Sequence, residues 1–194
     1  MAIKTIIPPL SIIVAVDESG GFGKDGKIPW NIPEDMKHFQ EVTKGGVCIM
    51  GRKTYEDMLA MTMVRKEKKA AKETGSPPTS TELQRTITEI LPGRESFVVT
   101  RDTNYNAPGA TPVKSIREAI QKLDENDQRE IFVLGGEKMF IEALSWTGTI
   151  YLTVVKGDTY QCDKYFPIEV LNKHYRIVDG SQTEKLYFVT YKRG

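Results

Sequence analysis

Apolar residues along this chain fall into short runs, separated by polar segments with helical spacing. Runs rich in β-branched residues at Ile12–Val16, Val47–Met50, Phe97–Thr100, Ile131–Leu134 and Ile150–Val155 predict buried strands. Two longer alternating segments close the chain, Tyr175–Val178 and Leu186–Tyr191. Between them Asp179-Gly180-Ser181 has the chemistry of a hairpin turn. Glu34–Val42 carries Met36, Phe39 and Gln40 at helical spacing, with Asn31 as its cap and Pro33 in the first turn. Ser115-Ile116-Arg117-Glu118 reads as a capping box, opening a helix whose apolar face is Ile116, Ala119, Ile120 and Leu123. A further helix, Glu137–Trp146, follows Gly135-Gly136 at once. Strands alternating with helices predict an α/β sheet, mostly parallel, with the final pair as an antiparallel edge.

One stretch departs from this rhythm. Lys66 to Glu73 is a charged helix former, and Gly75-Ser76-Pro77-Pro78 breaks it. Thr79-Ser80-Thr81-Glu82 is a second capping box, followed by Leu83, Ile87, Ile90 and Leu91 at i, i+4, i+7 and i+8. Two helices around a turn are expected here. Its lysines alternate with glutamates, which fits a solvated face; a basic docking patch is the alternative.

Composition narrows the function classes. The 194 residues suit one well-buried domain, and a formal net charge of +1 gives no field to draw nucleic acid or an anionic membrane. The two cysteines, Cys48 and Cys162, form neither a CxxC pair nor a disulfide framework, so a reducing cytoplasm is expected. Pro8 and Pro9 interrupt the N-terminal apolar stretch, Asp17 and Glu18 end it, and a secretory segment is not expected. No run reaches the roughly 18 apolar residues of a transmembrane helix.

Three features carry candidate chemistry. Gly21-Phe22-Gly23-Lys24-Asp25-Gly26 spells GxGxxG after a strand. Pro29 and Pro33 exclude the immediate long helix that a dinucleotide fingerprint needs, so the stretch reads as a flexible glycine-rich loop. Strand, Gly135-Gly136 and helix together offer free N–H groups to a phosphate, although tight packing alone also uses such glycines. Gly51-Arg52-Lys53-Thr54-Tyr55 and Arg101 follow strands directly, where open α/β sheets bind ligands. Two such clusters suit an extra phosphate, as on NADPH; each alone fits ordinary surface charge better. Asp35 shares a helical stripe with Met36 and Phe39. There it either complements the helix dipole or pairs with a cationic or amide-bearing ligand.

Taken in order, these segments resemble dihydrofolate reductase over most of the chain. Ile13-Val14-Ala15-Val16 resembles its first strand, and Gly23 to Trp30 its mobile loop ending in Pro-Trp. Asp35 and Phe39 resemble the acid and aromatic of the first helix. Ile49 to Tyr55 resembles the next strand and helix start, and Leu91-Pro92-Gly93-Arg94 the LPGR segment. Val133 to Gly136 resembles the cofactor glycine pair. Tyr151-Leu152-Thr153, Asp163 and Phe166-Pro167 resemble the late strand and following loop.

The resemblance implies a three-layer α/β fold in a single domain, 1–194. Its eight-stranded, mostly parallel central sheet would have an antiparallel C-terminal edge hairpin and helices on both faces, with residues 59–90 as a helical insertion. It implies NADPH-dependent reduction of dihydrofolate to tetrahydrofolate, serving one-carbon and thymidylate metabolism. Asp35 would bind the pteridine's amino and ring-nitrogen edge, with Thr153 in support. Ile13, Val14 and Ala15 would supply backbone and walls, with Met36, Phe39 and Leu91 around the rings. Arg94 would grip the glutamate α-carboxylate, and Trp30 would close over the site. Ala15 and Ile28 would flank the nicotinamide, with Phe22, Gly26 and Lys27 beside the cofactor. Gly51, Arg52, Lys53, Thr54, Thr100, Arg101 and Lys114 would hold the adenosine and phosphate end. Leu134, Gly135, Gly136, Glu137, Lys138, Met139 and Phe140 would hold the pyrophosphate and nicotinamide end.

The implied mechanism makes Asp35 the one ionisable group near the reacting nitrogen, and loop 17–28 a lid. A monomer, antifolate-type ligands and no metal are further expectations. Phe140 stands where many relatives have tyrosine, which implies a modest rate effect. Glu137 puts an acid beside the cofactor phosphates. Residues 59–90 border the aminobenzoyl-glutamate pocket. Rival readings are a pyrimidine reductase of riboflavin synthesis, opposed by Arg94, and a non-catalytic NADPH- or partner-binding protein, opposed by Asp35, Trp30 and Thr153.

Overall fold

A computed structural model describes residues 9–157 and 159–194, so the N-terminal stretch read at 1–8 lies outside the described residues. In chain order the elements are β1 (Leu10–Asp17), β2 (Gly21–Gly23), α1 (Pro33–Val42), β3 (Val47–Gly51), α2 (Arg52–Thr74), α3 (Ser80–Arg85), β4 (Glu95–Val99) and β5 (Thr111–Val113). Then follow α4 (Ile116–Gln121), β6 (Ile131–Gly135), α5 (Glu137–Leu144), β7 (Thr149–Val155), β8 (Lys164–Tyr165), α6 (Ile168–His174), β9 (Tyr175–Gln182) and β10 (Leu186–Arg193).

Eight strands form one sheet in the order β5-β4-β3-β6-β1-β7-β10-β9. The first six are parallel to one another, and β10 and β9 run antiparallel. Ile12, Val16, Ile49, Ile131, Val133 and Ile150 are fully buried. That is why the central strands read as unbroken apolar runs: a parallel sheet is covered on both faces. All six parallel strands end at one edge, and α2 and α5 begin straight after β3 and β6. Ligand-binding groups therefore gather along that edge.

Several expectations shift. The cap of α1 is Ile32, with Pro33 as first helical residue; Asn31 has no part in it. Asp179 to Ser181 lie inside β9, and the hairpin turns at 183–185, where Thr183 N donates to Leu186 O over 2.9 Å. A register shift at Thr190/Tyr191 leaves Val178 as the extra β9 residue, a bulge just before the glycine-containing triplet, which itself pairs in regular register. At Ser115 the box is incomplete. Its side chain accepts from Glu118 N, but Glu118 accepts from Lys114 N. Helix α5 stops at Leu144, two residues before Trp146.

The region around the insertion differs most. α2 is a single 23-residue helix from Arg52 to Thr74, closed by Gly75 in the left-handed conformation. The box at Thr79 is complete, with Thr79 Oγ1 accepting from Glu82 N and the Glu82 carboxylate accepting from Thr79 N. Helix α3 nevertheless ends at Arg85. Leu83, Ile87 and Ile90 are buried, the last two in irregular chain, so their helical spacing came from packing rather than from a continuing helix.

Candidate active site

The loop leaving β1 is pinned by Asp17. Its Oδ1 accepts from Ser19 N at 2.9 Å, Ser19 Oγ at 2.7 Å and Gly21 N at 2.9 Å, and its Oδ2 from Tyr160 N at 3.2 Å. Burial alone would raise this carboxyl; the hydrogen bonds outweigh it and hold Asp17 below the ordinary 3.8. The GxGxxG stretch opens as β2, paired with β8, rather than as free loop. Beyond it Gly26, Lys27 and Ile28 are exposed, with Ile28 at 55%.

That loop delivers Trp30 to α1. Trp30 Nε1 donates to Asp35 Oδ2 across 3.4 Å, and its ring lies 5.2 Å from Tyr160. The hydroxyl of buried Thr153 on β7 donates to the same carboxylate. Burial raises Asp35 above 3.8, and these two hydrogen bonds with nearby His38 only partly oppose it. Thr153 is the register partner of Ala15 on β1, which puts Thr153, Ala15 and Ile13 on one face of the sheet and Val14 on the other. Phe39 and Leu91 pack with Ile13 and Met58 as one apolar wall. Met36 departs from the expected stripe: it is 50% exposed.

Arg94 is held from behind. Its Nε donates to Thr43 O and Oγ1 at 3.1 and 2.8 Å, and its terminal nitrogens to Pro92 O and Gln40 O at 2.8 and 2.6 Å. A guanidinium has five N–H groups, so donors remain for a carboxylate.

The second half of the site runs along the sheet edge. Gly51, the cap of α2, approaches β6 so closely that a Cβ there would lie 3.3 Å from Met139 Cγ and 3.6 Å from Gly135 O. Gly135 has φ +114, and a Cβ would lie 3.0 Å from Phe140 Cζ. A Cβ on Gly136, joined to Gly135 by a cis peptide, would lie 3.7 Å from Thr54 Oγ1. Two helix N-termini, bare backbone and a hydroxyl thus converge. Phe140 is buried between Phe22 and Phe166, centroids 5.3 and 5.5 Å away. The Glu137 carboxylate faces Lys164 at 3.9 Å.

Strand order places the remaining groups in a row. Arg52 and Lys53 follow β3, Thr100 and Arg101 follow β4, and Lys114 follows β5, on three neighbouring strands. Thr100 is buried; Arg52, Lys53, Arg101, Lys114 and Lys138 are exposed, and Arg52 pairs with Glu56 at 3.6 Å. Leu134 packs half-buried against the Phe39–Met58 wall. One face of α2 and Lys27 of the loop line an open groove of about 580 Å³, with Asp57, Ala60, Met61, Val64, Arg65 and Lys68.

The dihydrofolate reductase family profile matches residues 9–68 and 83–193. The dihydrofolate reductase of Staphylococcus haemolyticus is 30% identical over 190 residues, covering 95% of both chains. The chain belongs to the dihydrofolate reductase family. The Staphylococcus aureus enzyme is 29% identical over 81% of this chain and 77% of its own. A solved dihydrofolate reductase from Enterococcus faecalis, complexed with NADP(H) and RAB-propyl, superimposes with a TM-score of 0.71 at 25% identity, over 96% of each chain. Membership carries the family's activity: NADPH-dependent reduction of dihydrofolate.

Three residues of the site escape sequence reading. His38 stands at i+3 from Asp35, and that spacing was the available signal. His38 is a second titratable side chain beside Asp35. Asp17 with Ser19 two residues on has the pattern of an Asx turn. Tyr160 has no local signal; the fold alone brings it to Trp30.

Proposed function

We propose that dihydrofolate occupies the cleft between α1, β1 and β7, and that NADPH lies along the sheet edge from β6 to β5. The observation carrying this is Asp35: a carboxylate raised by burial, partly satisfied by Trp30 and Thr153, on otherwise apolar walls. Such a group is completed by a ligand edge rich in N–H donors, as a pteridine's is.

Asp35 accepts from the pteridine's amino and ring N–H groups. Its negative charge raises the basicity of the ring nitrogen that takes the proton and favours an ordered water as carrier. Trp30 fixes the carboxylate and closes the site over that water. Phe39 and Leu91 hold the aminobenzoyl ring, and the free donors of Arg94 take the glutamate α-carboxylate. Ala15 and Ile28 flank the reacting rings, and exposed residues 24–28 act as the lid.

The cofactor edge fits NADPH: backbone lacking Cβ atoms at Gly51, Gly135 and Gly136 meets two helix N-termini, which suits a pyrophosphate. Thr54 adds a hydroxyl, and Arg52, Lys53, Arg101 and Lys114 supply cations for the further phosphate. When bound, NADPH supplies the hydride. Glu137, turned to Lys164, leaves the phosphates clear.

We read the chain as one reductase domain with a helical insertion at 59–90; the internal stretch outside the family match is 69–82. No helix among the described residues is long and apolar enough to cross a membrane. A monomer in the cytoplasm is proposed, the latter on two buried free cysteines. Antifolate-type diamino heterocycles would take the pteridine's place at Asp35. The test is NADPH oxidation by purified protein with dihydrofolate, beside Asp35→Asn. Turnover that collapses in the variant supports the assignment. Turnover that survives removes Asp35 from its role, and turnover of a riboflavin-pathway pyrimidine instead would reassign the substrate.

A further inference from the structure

His38 stands one turn after Asp35 on α1. Its half-buried ring lies against Phe188 of β10, centroids 4.2 Å apart and planes 34° from parallel. Phe188 is the cross-strand partner of Thr153, and Thr153 donates to Asp35. One turn of helix thus docks on two neighbouring strands through His38 and Asp35. The charged groups acting on His38 are Asp35 and Glu41, both on α1, while β10 presents the uncharged Phe188 ring. Glu41 also faces Lys37 at 3.8 Å, which dilutes it.

Two carboxylates and an aromatic face favour an imidazolium; burial opposes it and prevails, holding His38 below its ordinary 6.5. Asp35 is displaced the other way, above 3.8, so the two titrations converge.

We propose that His38 is a positioning residue which, acting through Asp35, sets the pH range over which the substrate-site carboxylate is ionised. As pH falls the imidazole takes a proton. The resulting cation lowers the affinity of Asp35 for the next proton, so the carboxylate stays ionised further into acid. Remove the imidazole, and Asp35 takes its proton at a higher pH. This rests on Asp35 being the carboxylate that meets the pteridine.

The test uses the full chain saturated with NADPH. It has two histidines, so the imidazole NMR signals of His38 are assigned by their loss in His38→Gln. Asp35→Asn should lower the His38 midpoint by about half a pH unit, the size expected of one charge at a half-exposed site. Reciprocally, His38→Gln and His38→Phe should each raise the Asp35 carboxyl midpoint by the same amount. His38→Phe keeps a ring on Phe188, so packing loss alone does not explain a shift. In single turnovers with dihydrofolate, both variants should move the pH midpoint of hydride transfer upward. An unmoved His38 midpoint in Asp35→Asn overturns the proposal, as does a rate loss equal at every pH. Reciprocal NMR shifts in an Asp35→Asn enzyme that still turns over would overturn the catalytic role and place the fault in the assignment of Asp35.

Discussion

Asp17 and Asp35 are two carboxylates on either side of one loop, and they behave in opposite ways. Asp17 is the more deeply buried, at 1% exposure, yet it titrates low because Ser19, Gly21 and Tyr160 surround it with donors. Asp35 is half-buried, and it titrates high because burial desolvates its carboxyl and the hydrogen bonds from Trp30 and Thr153 offset only part of that. Under the proposed assignment of Asp35, depth does not mark the functional acid; incomplete satisfaction by the protein's own donors does. The chain completes Asp17, and in our proposal a ligand completes Asp35.

The largest expected effect tests that division directly. Asp35→Asn should lower the rate of dihydrofolate reduction at neutral pH by about 10²–10³-fold, within the range typical of a lost acid–base group. Circular dichroism should remain that of the folded protein. A loss under tenfold would make Asp35 a second structural carboxylate and erase the contrast.

Asp17→Ala should do its harm elsewhere. It strips acceptors from Ser19 and Tyr160 and from the buried N–H of Gly21, at a cost of about 2–3 kcal/mol, or roughly 5–10 °C in Tm. Saturating turnover should fall far less than in Asp35→Asn. If turnover collapses while Tm holds, the loop anchor belongs to the chemistry and the comparison fails.

A smaller, sharper test uses pH. Asp17 is depressed in the fold, so its contribution is present above 3.8 and is lost as pH falls through its lower folded value. Asp35 is raised, so its contribution is present below 3.8 and is lost as pH rises through its higher folded value. Without ligand, Asp35→Asn should therefore melt a few degrees above the parent at pH 7, with the gap closing towards 3.8. Asp17→Ala should melt below the parent at pH 7, with its deficit narrowing below 3.8. Melting curves that move in the same direction for both would show that the two groups are not opposites.

Much of this division was legible beforehand. Central strands buried on both faces announce themselves as apolar runs, and Asp35 stood out as a charge on an apolar stripe. Spacing misled where tertiary packing rather than helix buries the side chain, as at Ile87 and Ile90. It also said little about β2 and β8, whose three and two residues are held by pairing with each other, not by propensity. The Asp17 donors were partly readable, since Ser19 and Gly21 are close in sequence; Tyr160, 143 residues away, was not.

The smallest expected effect concerns Phe140, whose ring edge faces the glycine pair. A tyrosine hydroxyl there would extend from Cζ, the atom 3.0 Å from where a Gly135 Cβ would stand. Phe140 is buried edge-on to Phe22 and Phe166, and an added hydroxyl would push the ring against them, at a cost of about 1 kcal/mol. Where the hydroxyl reaches the nicotinamide side, it adds one neutral hydrogen bond, worth at most about a few-fold in rate. Phe140→Tyr should accordingly speed hydride transfer in single turnovers by no more than about threefold while slightly lowering Tm. An unchanged chemical step would make Phe140 pure packing, like Ala143 on the same helix. A gain above tenfold would mean that the cofactor half of the site, like Asp35 in the other, had been left incomplete for a single side chain to finish.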